Sequence, residues 1–263
     1  MTEEAIRMDV DDRGVARVTI NRPQKHNAFD DTVIAELSQA FDTLANQAEV
    51  KVVILASQGK SFSAGADLNW MKRMAQYDYQ HNLKDAQLLA AMLKALYDLP
   101  QPTIARVQGA TMGGAVGLVS CCDMAVASTR ASFALSEVRI GLIPATISPY
   151  VIKAIGERAS RRYFSTAERF NADKALSLGL VSEVVAEDQL DDTIDQLIET
   201  LLQNSPQAVR AAKDLIARVA GQPVSPQLIE ETSVRIAQIR VSQEGQEGLD
   251  AFLNKRKPNW MND

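Results

Sequence analysis

TIARVQGATMGGAVGLVSCC, residues 103–122, is the stretch that sets the architecture. Thr103-Ile104-Ala105-Arg106-Val107 is rich in β-branched and apolar residues and predicts a strand. Gly109, Gly113 and Gly114 interrupt it. Ala115 to Cys122 consists almost wholly of small and apolar residues, the composition of a helix covered on all sides. A strand that passes through a Gly-rich loop into a buried helix is one unit of an α/β fold.

A second such unit lies upstream. Val52-Val53-Ile54-Leu55 reads as a buried strand, followed by a Gly/Ser/Ala loop from Ser57 to Asp67. A long helix of mixed face is expected from about 78 to 98, stopped before Pro100 and Pro102. Further out, Ile6, Met8 and Val10 alternate, Asp11 to Gly14 makes a turn, and Val15 to Ile20 completes a hairpin. Asn21 to Asn27 is a polar loop. Asp30 or Asp31 can cap a helix over about 32–47 that carries Val33, Leu37, Phe41 and Leu44 on one face.

Downstream, Met124–Ala127 and Ser132–Leu135 read as short strands, and from 146 the pattern is helical apart from a strand at Val181–Val185. The last 60 or so residues are amphipathic helices. The fold class is therefore α/β, with a core over residues 1–200 and a helical region over 201–263.

The 263 residues are 46% hydrophobic, enough for a sizeable core. The net charge of -5 argues against a general nucleic-acid surface, which needs a basic excess. Cys121 and Cys122 are adjacent and face different ways on a helix, so they predict no disulfide; together with His26 and His81 they supply no metal cluster. The acidic N-terminus MTEEAIRMDVDD has no targeting signature, and no apolar run reaches the ~20 residues of a membrane span. A cytoplasmic location is expected.

Two loops carry the chemistry, Phe62-Ser63-Ala64-Gly65-Ala66-Asp67-Leu68 and Gln108 to Gly114. Each ends a strand and contains Gly, which lets a ligand approach the backbone. The second opens a helix whose first N–H groups are unpaired. Taken singly, each reads as a turn. As an ordered pair they suggest two N–H donors converging on one oxygen. Glu137 lies among Phe133, Ala134, Leu135, Val138 and Ile140, surroundings that raise a carboxyl pKa and suit proton transfer near neutrality.

These loops, with Asn21-Arg22-Pro23 through Asn27-Ala28, Gly109 to Asp123, Ser136 to Pro144, Ala175 to Val185 and Ala251 to Pro258, resemble the enoyl-CoA hydratase/isomerase (crotonase) superfamily over nearly the whole chain. The run Ala134 to Ala145, followed by Ile147-Ser148-Pro149, is similar to bacterial methylglutaconyl-CoA hydratases of leucine degradation and to hydratases of acyclic terpene degradation. The resemblance implies a spiral of ββα units with a C-terminal helical region that assembles trimers, often paired as hexamers. It implies an acyl-CoA substrate whose thioester oxygen is held by the N–H groups of Ala66 and Gly114, and a proton exchanged at the α-carbon by Glu137. Lys25, Ala28, Ala64, Asp67 and Leu68 would line the coenzyme A cleft. Phe252 and Lys255 would reach its nucleotide end. No metal or resident cofactor is implied, because coenzyme A arrives as part of the substrate.

The second glutamate of two-glutamate hydratases is absent; its position is Gly117. That leaves three routes open: Glu137 manages both protons of hydration, another group such as Ser120, Ser148 or Tyr150 holds the water, or the chain is a one-glutamate isomerase. A non-catalytic acyl-CoA-binding protein is a fourth reading. Gly117 is expected to make room for a branched acyl group such as 3-methylglutaconyl, whose free carboxylate would call on Lys72, Arg73, Arg139 or Lys153.

Overall fold

The alternating N-terminal residues form an antiparallel hairpin, β1 (Ile6–Val10) and β2 (Val15–Ile20), in the computed structural model, which describes residues 4–261. Residues 1–3, part of the acidic stretch read as carrying no targeting signal, lie outside the described residues. Helix α1 (Asp31–Ala45) starts where Asp30 accepts the Val33 N–H at 3.1 Å, and it buries Val33, Leu37, Phe41 and Leu44. Then follow β3 (Val52–Ser57), α2 (Leu68–Met74), α3 (Tyr79–Tyr97) and β4 (Thr103–Val107). Next come β5 (Ala110–Met112), α4 (Gly114–Cys121), β6 (Met124–Ser128) and β7 (Ser132–Ala134). The series continues with α5 (Ser148–Thr166), β8 (Phe170–Asn171), α6 (Ala172–Leu178), β9 (Glu183–Val185) and α7 (Leu190–Leu202).

Six strands make the main sheet in the order β1-β2-β3-β4-β6-β9, parallel except for the opening hairpin. All six residues of β3 are buried, as expected of a parallel strand covered on both faces. A second sheet, β5-β7-β8, runs beside it. Two isolated parallel bridges, Phe29 to Ala66 and Ser63 to Thr111, extend that second sheet through the loops. Each turn of chain thus adds a strand to one sheet, a short strand or bridge to the other, and then a helix. This is the mixed α/β fold expected from the sequence.

Differences from the sequence reading are local. The sequence pattern predicts no helix over α2, and β5 and β8 are too short to show a period of two. The strand expected at Val181 begins at Glu183, while Val181 is buried in the core. Helix ends shift by one or two residues, the ordinary uncertainty of frayed termini.

The chain forms two compact units. The first comprises residues up to Leu99 with Thr103–Ile194; the second comprises Pro100–Pro102 with the chain from Asp195 onward. The division falls inside α7, whereas the sequence suggested a boundary after 200. The second unit contains α8 (Pro206–Val219), α9 (Pro226–Val241) and α10 (Gln243–Leu253). Ser205, Ser225 and Ser242 cap them by accepting N–H groups three residues on, and Pro follows at the first helical turn of α8 and α9. Among the described residues, no helix is long and apolar enough to cross a membrane, and Cys121 and Cys122 form no disulfide.

Candidate active site

The two Gly-containing loops are brought together by buried polar groups. The Ser63 N–H donates to the Ala110 carbonyl at 3.0 Å, and the Met112 N–H donates to the Ser63 carbonyl at 3.0 Å. The Gln108 side-chain Nε2 lies 3.0–3.1 Å from the carbonyls of Ser57, Gly59 and Ser61. From the first loop, the fully buried Asn27 donates to the carbonyls of Gln58 at 2.7 Å and Ser61 at 2.8 Å, and accepts from the Arg22 N–H. Gly65 has φ of 87° and sits so close to the second loop that a Cβ would meet the Met112 carbonyl oxygen at 2.8 Å.

Among the described residues, this arrangement leaves the N–H groups of Ala66 and Gly114 without a hydrogen-bond partner. In the parallel bridge, the Phe29 N–H donates to the Gly65 carbonyl and the Asp67 N–H donates to the Phe29 carbonyl, both at 2.9 Å. The ladder pattern turns the N–H of Ala66 away from Phe29, towards the side on which β5 ends. Gly114 is the first residue of α4, so its N–H has no acceptor within the helix. Its α-carbon is pressed against the Phe29 ring: a Cβ there would stand 2.7 Å from Cζ. Ala66 and Gly114 both line one cleft of about 290 Å³. Two such donors on one cleft can stabilise negative charge on an oxygen placed between them.

Glu137 lines the same cleft, at the start of a short 3-10 turn, Glu137–Ile140. Its Oε1 would lie 3.2 Å from a Cβ added at Gly113, whose φ of 54° already favours glycine. Among the described residues its Oε2 is buried with no hydrogen-bond partner. Burial raises its pKa above the usual carboxylate value, and only its own backbone N–H opposes this. A carboxyl so placed is suited to exchanging a proton with a carbon atom in the cleft.

Asp67 is buried and caps α2 through the N–H groups of Asn69 at 2.8 Å and Trp70 at 3.3 Å. Its carboxylate also takes the Lys25 ammonium at 3.1 Å and lies 3.7 Å from Arg22. Burial alone would raise its pKa, but the Lys25 and backbone hydrogen bonds outweigh that and pull it below the ordinary value. Its oxygens are thus engaged in holding the Ala66 loop. Lys25 and Ala28 stand on the first loop, Ala28 buried and Lys25 exposed. Ala64 and Leu68 are exposed, Leu68 at 73%. Phe252 and Lys255 belong to the second unit, where Phe252 is 81% exposed at the end of α10 and Lys255 takes a left-handed φ of 55°.

One expectation fails. Gly117 does not open the cleft, because Ile147 fills the space in front of it. A Cβ at Gly117 would meet Ile147 Cγ2 at 2.2 Å and Cβ at 2.7 Å. Neither room for a branched group nor a glutamate side chain is available there. None of Ser120, Ser148 and Tyr150 lines the cleft. The Ser120 and Ser148 hydroxyls donate to the Val116 and Ala145 carbonyls, and Tyr150 packs on Tyr97.

The sequence reading also missed a wall. Asn82, Asp85, Ala86 and Leu89, spaced i, i+3, i+4 and i+7, present one stripe of α3 to the cleft, beside Trp70 and Met74 of α2. The polar members of that stripe were the signal available. A larger groove of about 610 Å³ runs along α1 and shares Trp70 and Asp85, but it contains neither unpaired N–H group nor Glu137.

Known proteins resemble the chain over nearly its whole length. Residues 11–263 match the enoyl-CoA hydratase/isomerase family. A crystal structure of an enoyl-CoA hydratase from Shewanella pealeana superposes with a TM-score of 0.94 at 46% identity, covering 98% of this chain and 97% of that one. A short-chain-enoyl-CoA hydratase from Clostridium acetobutylicum is 31% identical, over 92% of each chain. A trans-2-decenoyl-[acyl-carrier-protein] isomerase from Streptococcus mutans is 30% identical, over 94% of each. Matched to the family over residues 11–263 and similar to these proteins over nearly its full length, the chain belongs to the enoyl-CoA hydratase/isomerase family, and its fold is that of the crotonases.

Proposed function

We propose that the chain hydrates the double bond of an α,β-unsaturated acyl-CoA thioester. The carrying observation is the meeting of two unpaired N–H groups, on Ala66 and Gly114, with the poorly solvated carboxyl of Glu137 in one cleft. The thioester oxygen takes up negative charge when water adds at the β-carbon, and the N–H pair stabilises that enolate. Losing one such donor typically costs ~10²–10³ in rate. Glu137 then delivers a proton to the α-carbon. Coenzyme A is part of the substrate, and no resident cofactor takes part.

A neutral acyl group suits the cleft better than 3-methylglutaconyl. Its lining contains Asp85 and Glu137 but, among the described residues, no Lys, Arg or His. The cations considered for a second carboxylate are placed elsewhere. Arg73 pairs with Asp31 at 2.6 Å, Arg139 donates to the Ala167 carbonyl, Lys153 lies over the Tyr97 ring and Lys72 is exposed on α2. Assembly as a trimer or hexamer belongs to the same proposal. It is supported by α8 and α9, which fully bury none of their residues and expose Ile216, Ile229, Val234, Ile236 and Val241.

The second reading is isomerisation of a 3-enoyl thioester, which needs one carboxylate. It is favoured by the filled space at Gly117. The carboxyl of Glu137, its Oε2 buried without a partner among the described residues on the cleft that holds Ala66 and Gly114, speaks against a purely binding role. A panel of crotonyl-CoA, 3-methylglutaconyl-CoA and a 3-enoyl-CoA separates the readings by absorbance. Hydration of the conjugated thioesters loses absorbance, whereas isomerisation of the 3-enoyl compound gains it. Glu137→Gln should lower turnover by orders of magnitude while thioester binding persists. Full activity in that variant sinks the assignment.

A further inference from the structure

Hydration has two proton transfers, and Gly117 offers no second carboxylate for them. The cleft itself does. Asp85 projects from the cleft-facing stripe of α3, one helical turn after Asn82. Its Oδ2 accepts the indole N–H of Trp70 at 3.1 Å. Trp70 is buried, and its backbone N–H is capped by Asp67, the residue next to Ala66. One short path, Ala66-Asp67 to Trp70 to Asp85, therefore ties this carboxylate to the loop that supplies an N–H donor. The Asn82 amide is anchored on the carbonyls of Tyr77 and Asp78, both at 3.1 Å, which leaves its side-chain oxygen as a neighbouring acceptor.

We infer that Asp85, held by Trp70, is the group that binds and deprotonates the water in this cleft, on the wall of α3 rather than on α4. The inference rests on the hydration reading above. The step balances as follows. The Asp85 carboxylate takes one proton from water as the hydroxide oxygen bonds to the β-carbon. The π pair of the C=C bond moves towards the thioester, giving an enolate whose oxygen lies on the Ala66 and Gly114 N–H groups. The Glu137 carboxylic acid gives its proton to the α-carbon and becomes a carboxylate. Asp85 then returns its proton to solvent and Glu137 regains one, so the enzyme ends as it began. Asp85 is a catalytic residue in this scheme, and Trp70 is a positioning residue.

The test compares wild type, Asp85→Asn and Trp70→Phe in two assays on the full chain. One is hydration of crotonyl-CoA; the other is hydrogen–deuterium exchange at the α-carbon of butyryl-CoA in D2O, which needs Glu137 and the N–H pair but no water addition. Asp85→Asn keeps an acceptor for Trp70 and the side-chain shape. It should lower kcat for hydration at least ~100-fold, within the usual range for a lost general base, with KM changed little and exchange kept within about threefold. Trp70→Phe, which removes the donor and keeps an aromatic ring, should lower hydration about tenfold and likewise spare exchange. Wild-type hydration by Asp85→Asn overturns the inference. So does an equal loss of hydration and exchange, which marks a structural role. A wild-type chain that exchanges but does not hydrate removes the hydration reading itself, and this inference with it.

Discussion

Gly117→Ala is the most direct probe of the wall that replaces a second glutamate. In an open helix, Gly→Ala stabilises by about 1 kcal/mol. Here the new methyl would stand 2.2 Å from Ile147 Cγ2 and 2.7 Å from its Cβ, far inside contact distance, with Leu93 Cδ2 at an ordinary 3.5 Å. Overpacking of this kind costs about 1–3 kcal/mol. The helix gain offsets about 1 kcal/mol of it, and Gly117→Ala should be destabilising by up to about 2 kcal/mol. Ile147→Gly removes both clashing atoms, so in that background the sign should reverse and Gly117→Ala should stabilise by about 1 kcal/mol. The assay is urea unfolding of the four proteins of the cycle at one protein concentration. Stabilisation by Gly117→Ala in the native background would refute the packing argument. So would a cycle with no coupling.

The remaining predictions concern the loops and Glu137. Burial raises the folded pKa of Glu137 above its unfolded value of about 4.3. The folded state then holds the extra proton, and stability is lost as pH rises from the unfolded pKa through the folded one. Glu137→Gln should therefore be more stable than wild type at pH 7, with the difference vanishing near pH 4; thermal unfolding across that range checks it. For Asp67 the sign is opposite. Its folded pKa is lowered, so its contribution is present above the unfolded value and lost as pH falls. Asp67→Ala should cost about 1–2 kcal/mol through the lost cap of α2, and Asp67→Asn should cost less, as urea midpoints will read. Gly114→Ala should cut turnover ~10²–10³-fold by displacing the Phe29 ring or the N–H itself, and Phe29→Leu should restore part of it. Unchanged turnover in Gly114→Ala would exclude that N–H from the reaction.

Much of the first unit was legible in the chain. The small-residue run from Ala115 announced a buried helix because only such residues pack on all sides. The Gly-bearing loops announced their close approach. Glu137 stood out because apolar neighbours foretell poor solvation. Other features depend on contacts between distant segments. Nothing local to Gly117 says that Ile147, 30 residues on, occupies the space before it. The α3 stripe is a helix face of mixed character until α2 and Glu137 surround it, so nothing local singles out Asn82 and Asp85. Trp70 gives no hint in sequence that its indole reaches a carboxylate 15 residues away. The bridges at Ala66 and Thr111 span single residue pairs, too short for any period to mark.

The bridge between Phe29 and Ala66 has a consequence for how this enzyme can change. The N–H of Ala66 is aimed by the course of the main chain, and every amino acid except proline carries the same group. A codon change at 66 can crowd the donor, but apart from proline it cannot delete it. On the proposed chemistry, heritable variation then falls on the groups around that donor, on residues such as 85, 114, 137 and 147. On that chemistry, a lineage built on this plan can exchange one reaction for another while the donor at 66 persists, whereas the donor at 114 stays open to crowding by any side chain set against Phe29.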